Sequence, residues 1–426
     1  MKDAPHVLIV GGGFGGLEAA KQLKNSPFRV TLLDKRNFHL FQPLLYQVAT
    51  GGLSPADIAT PLRSIFRNFK NISVYQKEVT SIHPNNKFIM TDYGKIEFDT
   101  LIIATGSTHH YFGHDSWKNI APGLKTIEDA TNIRSRILQA FEEAEKESDP
   151  QLRQNYLTFV IVGGGPTGIE LAGAIGELAR HTMKNDFRNI QSGEARILLI
   201  EGAERILNVY PPELSHKAQK FLKKLNVEIM TESIVTDVNK ERVKIKNSDQ
   251  NLEIGSRTVL WAAGVKASSL SRAFVSDTDI ETDIQGRLRV NKYCQIPQYP
   301  EIYVIGDLAH FEDERGKPLP GIAPVSMQQG RYVAKMLKRN LIGGKLSHFK
   351  YHNRGNLAVI GRKAAVAQLG KFKFSGYFAW LLWLFIHLMY IVGFENRLLI
   401  FIQWSYNYFT RNRSARLIAN YNLPKE

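Results

Sequence analysis

The sequence predicts an α/β chain: two nested domains, each wound on a parallel sheet, followed by a C-terminal helical region. Three observations carry this expectation. The stretch GGGFGGLEAAK at residues 11–21 returns, little changed, as GGGPTGIELAG at 163–173. Each copy follows a short apolar run, HVLIV or LTFVIV, and opens a stretch in which Leu, Ile and Ala recur at helical spacing. Residues 376–394 then contain no Asp, Glu, Lys or Arg, and a second apolar run, LLIFIQW, follows them.

At 426 residues the chain exceeds what one hydrophobic core organises, so two or three domains are expected. With 43% hydrophobic and 22% charged residues it is compositionally an ordinary folded protein, which excludes global disorder. Lys and Arg number 55 against 40 Asp and Glu, a formal +15 that attracts anionic lipid, nucleic acid or anionic cofactors without choosing among them. Cys294 is the only cysteine, so an internal disulfide, a CxxC redox pair and a cysteine-based zinc site are all excluded. No metal-ligand pattern is expected. The N-terminus, MKDAPHVLIVGGG, has too brief an apolar run for a signal peptide and is not an Arg-rich transit peptide. A protein that stays on the cytoplasmic side is expected.

Strand, tight turn and helix form the context in which GxGxxG binds a dinucleotide. Gly11 or Gly163 permits the turn, Gly13 or Gly165 lets a pyrophosphate approach the backbone, and Gly16 or Gly168 lets helix pack on strand. The helix N-terminus offers its free N–H groups to the phosphates. In each repeat the next apolar run ends in an acid: FRVTLLDKR at Asp34 and ARILLIEGAE at Glu201, each placed for ribose hydroxyls. Glu201 lies further from its glycines than the usual interval of about 20 residues, which is read as a helix running on through AIGELARHTMKNDF. The chain repeats itself because it binds two dinucleotides. Glu201 and Glu204 would both meet a 2′-phosphate before Arg205, which favours NADH over NADPH.

Further landmarks carry a family resemblance. LIIATGS and VLWAAGV are apolar runs ending in small-residue turns, one per repeat, and IYVIGDLAH supplies Gly306 and Asp307. Together with FHLFQPLLYQVATGGLSP, GPTGIELAG, WAAGVKAS, LPGIAPVSMQQGRY and FIHLMYIVGFENRLLIFIQW, they span nearly the whole chain. The chain resembles the type II NADH dehydrogenases, single-subunit, non-proton-pumping NADH:quinone oxidoreductases of the FAD- and NAD-dependent pyridine nucleotide oxidoreductase superfamily.

The resemblance implies that Gly11, Gly13, Phe14, Gly16, Asp34 and Lys35 hold the FAD adenosine and pyrophosphate, and that Gln42, Pro43 and Tyr46 lie by the isoalloxazine. Ala104, Thr105, Gly106, Gly306 and Asp307 would complete the flavin pocket, with Ala323 and Pro324 at the start of a helix beneath it. Gly165, Thr167, Gly168, Glu201, Ala263 and Gly264 would hold NADH. Catalytic roles are implied for Glu170, Gln328 and Tyr46. Glu170 also spells T-x-x-E with Thr167, a capping box that would make it an N-terminal stabiliser, and Glu18 is its counterpart in the first repeat. Many relatives carry A-Q-x-x-x-Q under the flavin, whereas APVSMQQ places Pro324 at the first glutamine, tolerable near a helix start, and Gln328 at the second.

The tail is read as a monotopic anchor, with a membrane span and a soluble core helix as the alternatives. Trp380, Trp383 and Tyr390 beside Lys371, Lys373, Arg397, Arg411, Arg413 and Arg416 suit an interface with anionic phospholipid. Burying six large apolar side chains there, at roughly 1.5–3 kcal/mol each, gives on the order of 10 kcal/mol before ordering costs. His387 is either a proton donor to quinone or a helix residue bonded to a backbone carbonyl.

The expected domains are 1–115 (FAD, first part), 116–279 (inserted NAD domain), 280–340 (FAD, second part) and 341–426 (anchoring region). The expected enzyme transfers electrons from NADH through FAD to a membrane quinone without pumping protons. It would be peripheral to the cytoplasmic side of the cell inner membrane, as a possible homodimer with no nucleic-acid partner. Two rivals are a soluble NADH-dependent flavoprotein reductase serving an electron-transfer protein, and a redox-gated nucleic-acid binder.

Overall fold

The computed structural model describes residues 4–248, 250–275, 278–344 and 347–418. Two compact units emerge: Met1–Leu40 with Ala59–Thr108 and Val265–Asn353, and Phe41–Ile58 with His109–Gly264 and Arg354–Glu426. The divisions at 108 and 264 stand beside the boundaries of 115 and 279 drawn from sequence, and residues 41–58 fall in the second unit.

In the first unit a six-stranded sheet has His6–Val10 at its centre, flanked by Arg29–Asp34 and Thr100–Ile103. Both pairings are parallel, with Val10 opposite Leu33 on one side and Ile103 on the other. Ile72–Gln76 and Tyr299–Val304 extend it, and Gln295–Ile296 closes one edge antiparallel. All five residues of His6–Val10 are buried, as a strand covered on both faces requires. Leu8, Val10, Leu33, Leu101, Ile103, Ile302 and Val304 form the core on one face.

The second unit repeats the plan. Thr158–Val162 pairs in parallel with Arg196–Ile200 and Thr258–Trp261, and Val227–Met230 lies outside Arg196–Ile200. Val160, Val162, Leu198, Ile200, Val259 and Trp261 pack here. Each repeat also inserts one three-stranded antiparallel sheet at the same point in its order: Val79–His83 to Gly94–Glu97, and Ser233–Val238 to Gln250–Gly255.

The second repeat's helix differs from its expectation. It runs Pro166–Glu177, continues as one π turn, Leu178–Thr182, and stops short of the full stretch to Phe187; a loop, one 3-10 turn at Ser192–Glu194 and the strand Arg196–Ile200 make up the rest of the interval to Glu201. The capping box is also absent. Gly165 is the N-cap and makes no side-chain cap hydrogen bond, while Thr167 already lies inside the helix, which puts Thr167 and Glu170 out of register for the motif. Glu18 instead accepts a 2.6 Å hydrogen bond from Arg331 Nε.

A three-stranded sheet, Asn356–Gly361, Ala364–Leu369 and Phe372–Ser375, leads into the tail. Gly173 fits this sheet against the Pro166–Glu177 helix, because a Cβ there would overlap the Ile360 carbonyl oxygen. The apolar tail is two helices, Tyr377–Tyr390 and Phe394–Thr410, separated at Gly393 with φ +91°. Among the described residues no helix is long and apolar enough to cross a membrane, which sets the spanning alternative aside. Ala379 and Trp383 turn inward on the first helix, whereas Phe378, Leu381, Phe385 and Met389 are exposed. Phe394, Leu398, Phe401, Ile402 and Phe409 are exposed on the second.

Candidate functional site

The two glycine turns match bond for bond. Gly11 N–H donates to Leu33 O at 2.8 Å and Gly163 N–H to Ile200 O at 2.7 Å, while Ala104 N–H reaches Val10 O and Ala262 N–H reaches Val162 O, both at 2.7 Å. Gly11 and Gly163 hold φ of +106° and +109°, a region costly for any residue with a Cβ. A Cβ on Gly16 or Gly168 would overlap the carbonyl oxygen of Gly11 or Gly163, whereas Gly13 and Gly165 face open space. The first pair fixes the turn, and the open pair leaves room for a pyrophosphate at the helix N-terminus.

The terminal acids close the turns identically. Asp34 Oδ2 accepts Gly12 N–H at 2.6 Å and Glu201 Oε2 accepts Gly164 N–H at 2.6 Å. Their second oxygens take Arg36 N–H at 2.7 Å and Ala203 N–H at 2.8 Å. Burial pushes the Asp34 carboxyl above its ordinary value, against the N–H groups of Arg36 and Gly12. These are the cradles, with an acid at the second strand's end, that two adenosine dinucleotides require, so the residues present fit FAD and NADH.

In the first unit, Phe14 stands edge-on to His39 at 5.2 Å, and Lys35 O accepts from Gln76 at 3.2 Å. Ser107 donates to Asp307 at 2.8 Å, and Thr105 Oγ1 lies 2.6 Å from Ser268 Oγ. Gly306 N–H donates to the amide oxygen of buried Gln329 at 2.7 Å. The helix Ala323–Asn340 begins where the sequence places it, with Pro324 in its first turn. Gln328 is committed at both ends of its amide to the His352 backbone, each bond 3.0 Å. Sequence reasoning passed over His39, Ser268 and Gln329, which no motif distinguishes.

The second unit brings Tyr46 and Glu170 together. Both line a cavity of about 370 Å³. Glu177, Trp383, Trp404 and Arg413 contribute further to its wall. Burial raises the Glu170 carboxyl from 4.5 to about 8, with only a backbone hydrogen bond from Val359 opposing it. Glu170 therefore keeps its proton at neutral pH. Burial, then the charge of Glu170, pushes the Tyr46 phenol well up; its oxygen accepts from Gln47 at 2.9 Å. Gln42, on the short helix Gln42–Leu44 with Pro43, donates to Lys125 O at 3.4 Å. Gln328 is not part of this cavity, and Ala263 and Gly264 lie just beyond the strand Thr258–Trp261.

Arg413, just beyond the tail helices, is the residue that ties the cavity wall. It donates to Thr50 O at 3.3 Å, Ala174 O at 3.1 Å and Glu177 Oε2 at 3.1 Å. Trp404 Nε1 donates to Gln47 at 2.8 Å, and Asn407 Nδ2 to Gly52 O at 3.2 Å. His387 lies 2.8 Å from Trp383 O through Nδ1 and stacks on the Trp383 ring at 4.1 Å. Its burial lowers its pKa to about 4, against the Trp383 carbonyl, so it is neutral and its Nδ1 contact is the carbonyl bond of the second reading.

Two parallel-sheet repeats with paired dinucleotide turns define a two-dinucleotide oxidoreductase. Accordingly, residues 5–330 match the family model described as pyridine nucleotide-disulphide oxidoreductase, and residues 353–412 match the NDH2 C-terminal domain. The chain is 40% identical to the type II NADH:quinone oxidoreductase Ndh of Mycobacterium tuberculosis, covering 97% of this chain and 90% of that one. It is 41% identical to NdhA of the same organism, covering 97% and 89%. The solved structure of Plasmodium falciparum NDH2 with NADH is similar in fold, with a TM-score of 0.90 at 20% identity over 98% of this chain and all of that one. The chain belongs to the type II NADH:quinone oxidoreductases, flavoenzymes that use FAD and NADH. The soluble-reductase and nucleic-acid rivals give way to this membership.

Proposed function

We propose that the unit built on His6–Val10 holds FAD and the unit built on Thr158–Val162 holds NADH, with the tail cavity receiving the quinone ring. The observation that carries the pairing is the duplicated bond from acid to glycine N–H, 2.6 Å in both units. Bound FAD supplies the two-electron chemistry linking NADH oxidation to quinone reduction. Gly13, Phe14 and the N-terminus of the Phe14–Leu23 helix take its pyrophosphate, Asp34 its adenosine ribose and Asp307 its ribityl chain. Lys35, Ala104, Thr105, Gly106, Gly306, Ala323 and Pro324 line the rest of the flavin site in that unit. Gly165, Thr167 and Gly168 take the second pyrophosphate, Glu201 the NADH ribose, and Ala263 and Gly264 its nicotinamide half.

Tyr46 and Glu170 are the catalytic pair of the cavity. Reducing a quinone consumes one solvent proton beyond the hydride of NADH, and Glu170 holds a carboxyl proton inside the cavity at neutral pH. Gln328 serves by fixing the Ala323–Asn340 helix. The exposed apolar faces of the two tail helices suit insertion into one leaflet, making the enzyme monotopic on the cytoplasmic side of the inner membrane. Homodimerisation is read from the family alone, and sedimentation in detergent tests it.

Anaerobic stopped-flow absorbance of the purified enzyme tests the reading. NADH bleaches the flavin band, NADPH leaves it, and a quinone restores it. Flavin that NADH reduces but quinone cannot reoxidise overturns the quinone assignment.

A further inference from the structure

Three cations gather at the rim of the tail cavity. Arg362 and Lys363 form the tip between the strands Asn356–Gly361 and Ala364–Leu369, and Arg411 follows the last tail helix. Arg362 lies over the Tyr408 ring at 4.2 Å, and Lys363 lies 5.5 Å from that ring and 5.8 Å from Tyr377. Trp380 stacks on both tyrosines, at 5.8 Å from Tyr377 and 5.5 Å from Tyr408.

Aromatic faces orient these cations but do not neutralise them. Among the described residues, no carboxylate forms an ion pair with Arg362, Lys363 or Arg411; Glu177, at the same cavity, is paired through Oε2 with Arg413 at 3.1 Å, and its Oε1 accepts the backbone N–H of Arg362 rather than its guanidinium. The Nε of Arg362 is buried without a hydrogen-bond partner. Arg411 Nη1 donates to His181 Nδ1 at 3.2 Å, so that imidazole is an acceptor and brings no negative charge. His181 is further held neutral by burial and by the Arg411, Arg180 and Arg362 charges, against Glu177.

Three cations whose side chains have no carboxylate ion-pair partner among the described residues form a site for an oxyanion. The same helices that carry Tyr377, Trp380 and Tyr408 expose Phe378, Leu381 and Phe409, so an apolar chain attached to that anion has a surface to lie on. A free phosphate would leave that surface unused.

We propose that Arg362, Lys363 and Arg411, framed by Tyr377, Trp380 and Tyr408, form a binding site for the phosphodiester headgroup of one anionic phospholipid at the rim of the cavity. The proposal rests on the membrane reading above and goes beyond it: one seated lipid, rather than a diffuse charged surface.

The test is partition of the full-length holoenzyme onto phosphatidylcholine vesicles with and without phosphatidylglycerol. It compares the wild type with Lys363→Gln and Arg411→Gln, and with Lys371→Gln, which removes an exposed charge outside the cluster. Losing a charge-assisted hydrogen bond weakens binding to phosphatidylglycerol vesicles by roughly tenfold or more at Lys363 or Arg411. Losing only diffuse attraction costs the Lys371 variant about fivefold. Retained flavin absorbance confirms that each variant is folded. Equal losses at Lys371 and Lys363 overturn the seated lipid in favour of diffuse attraction. Competition by inorganic phosphate at the lipid's own concentration overturns it in favour of a free-anion site. Binding to phosphatidylcholine with no gain from phosphatidylglycerol refutes the headgroup site while leaving the membrane reading standing; no binding to either vesicle sinks both.

Discussion

Replacing Glu170 by Gln keeps the side chain's shape and removes its titration. The folded carboxyl titrates near 8 because it is buried in the cavity wall, whereas an unfolded glutamate titrates near 4.5. Below 4.5 both states are protonated and Glu170 costs nothing. Between those values the unfolded chain releases the proton and the folded chain retains it, so stability falls as pH rises, at about 1.36 kcal/mol per unit. Carried to pH 7 this gives at most about 3 kcal/mol, and water inside the cavity reduces it, leaving on the order of 2 kcal/mol. The Gln variant should thus match the wild type near pH 4.5 and exceed it at pH 7. Urea midpoints across that range read the difference directly. In parallel, quinone reduction by the wild type should decline above about pH 8 as the carboxyl empties, while the variant shows a lower and flatter profile. A variant whose stability follows the wild-type pH dependence would refute the buried, protonated carboxyl.

Other consequences follow from the same geometry. Arg413→Ala leaves Glu177 unpaired in the cavity wall and should cost about 3–5 kcal/mol in thermal unfolding, with quinone turnover falling more than NADH-driven flavin bleaching; Arg413→Lys should recover part of both. Gly168→Ala forces a Cβ onto the Gly163 carbonyl oxygen and should weaken NADH binding at least tenfold while flavin content, measured by absorbance, is kept. Gly16→Ala applies the same clash to Gly11 and should instead yield protein depleted of flavin. His387→Gln should leave the pH profile of quinone reduction unchanged between pH 5 and 8, since burial keeps that imidazole neutral throughout, as steady-state rates across that range would show.

The two dinucleotide turns were legible in the sequence because their constraints are local. Gly11 and Gly163 need positive φ, Gly16 and Gly168 cannot carry a Cβ, and the next strand of each unit, Arg29–Asp34 or Arg196–Ile200, carries the acid at or just after its end. Residues within one βαβ unit determine all of that, so pattern and spacing suffice. The same holds for Pro324, whose missing N–H fits only the first turn of a helix. The capping box at Thr167 and Glu170 was misread because two frames of one motif look alike in sequence, and only the position of Gly165 as N-cap decides between them.

What tertiary structure alone decided is the cavity and the tail. Tyr46, Glu170, Arg362, Trp383, Arg413 and their neighbours come from segments hundreds of positions apart, and no periodicity links them. Composition marks the tail as apolar, but the break at Gly393 and the inward turn of Ala379 and Trp383 depend on what each helix packs against. A carboxyl's proton, likewise, depends on how much water reaches it: Glu170 is an ordinary acid in the sequence and a proton-holding one only where the fold surrounds it.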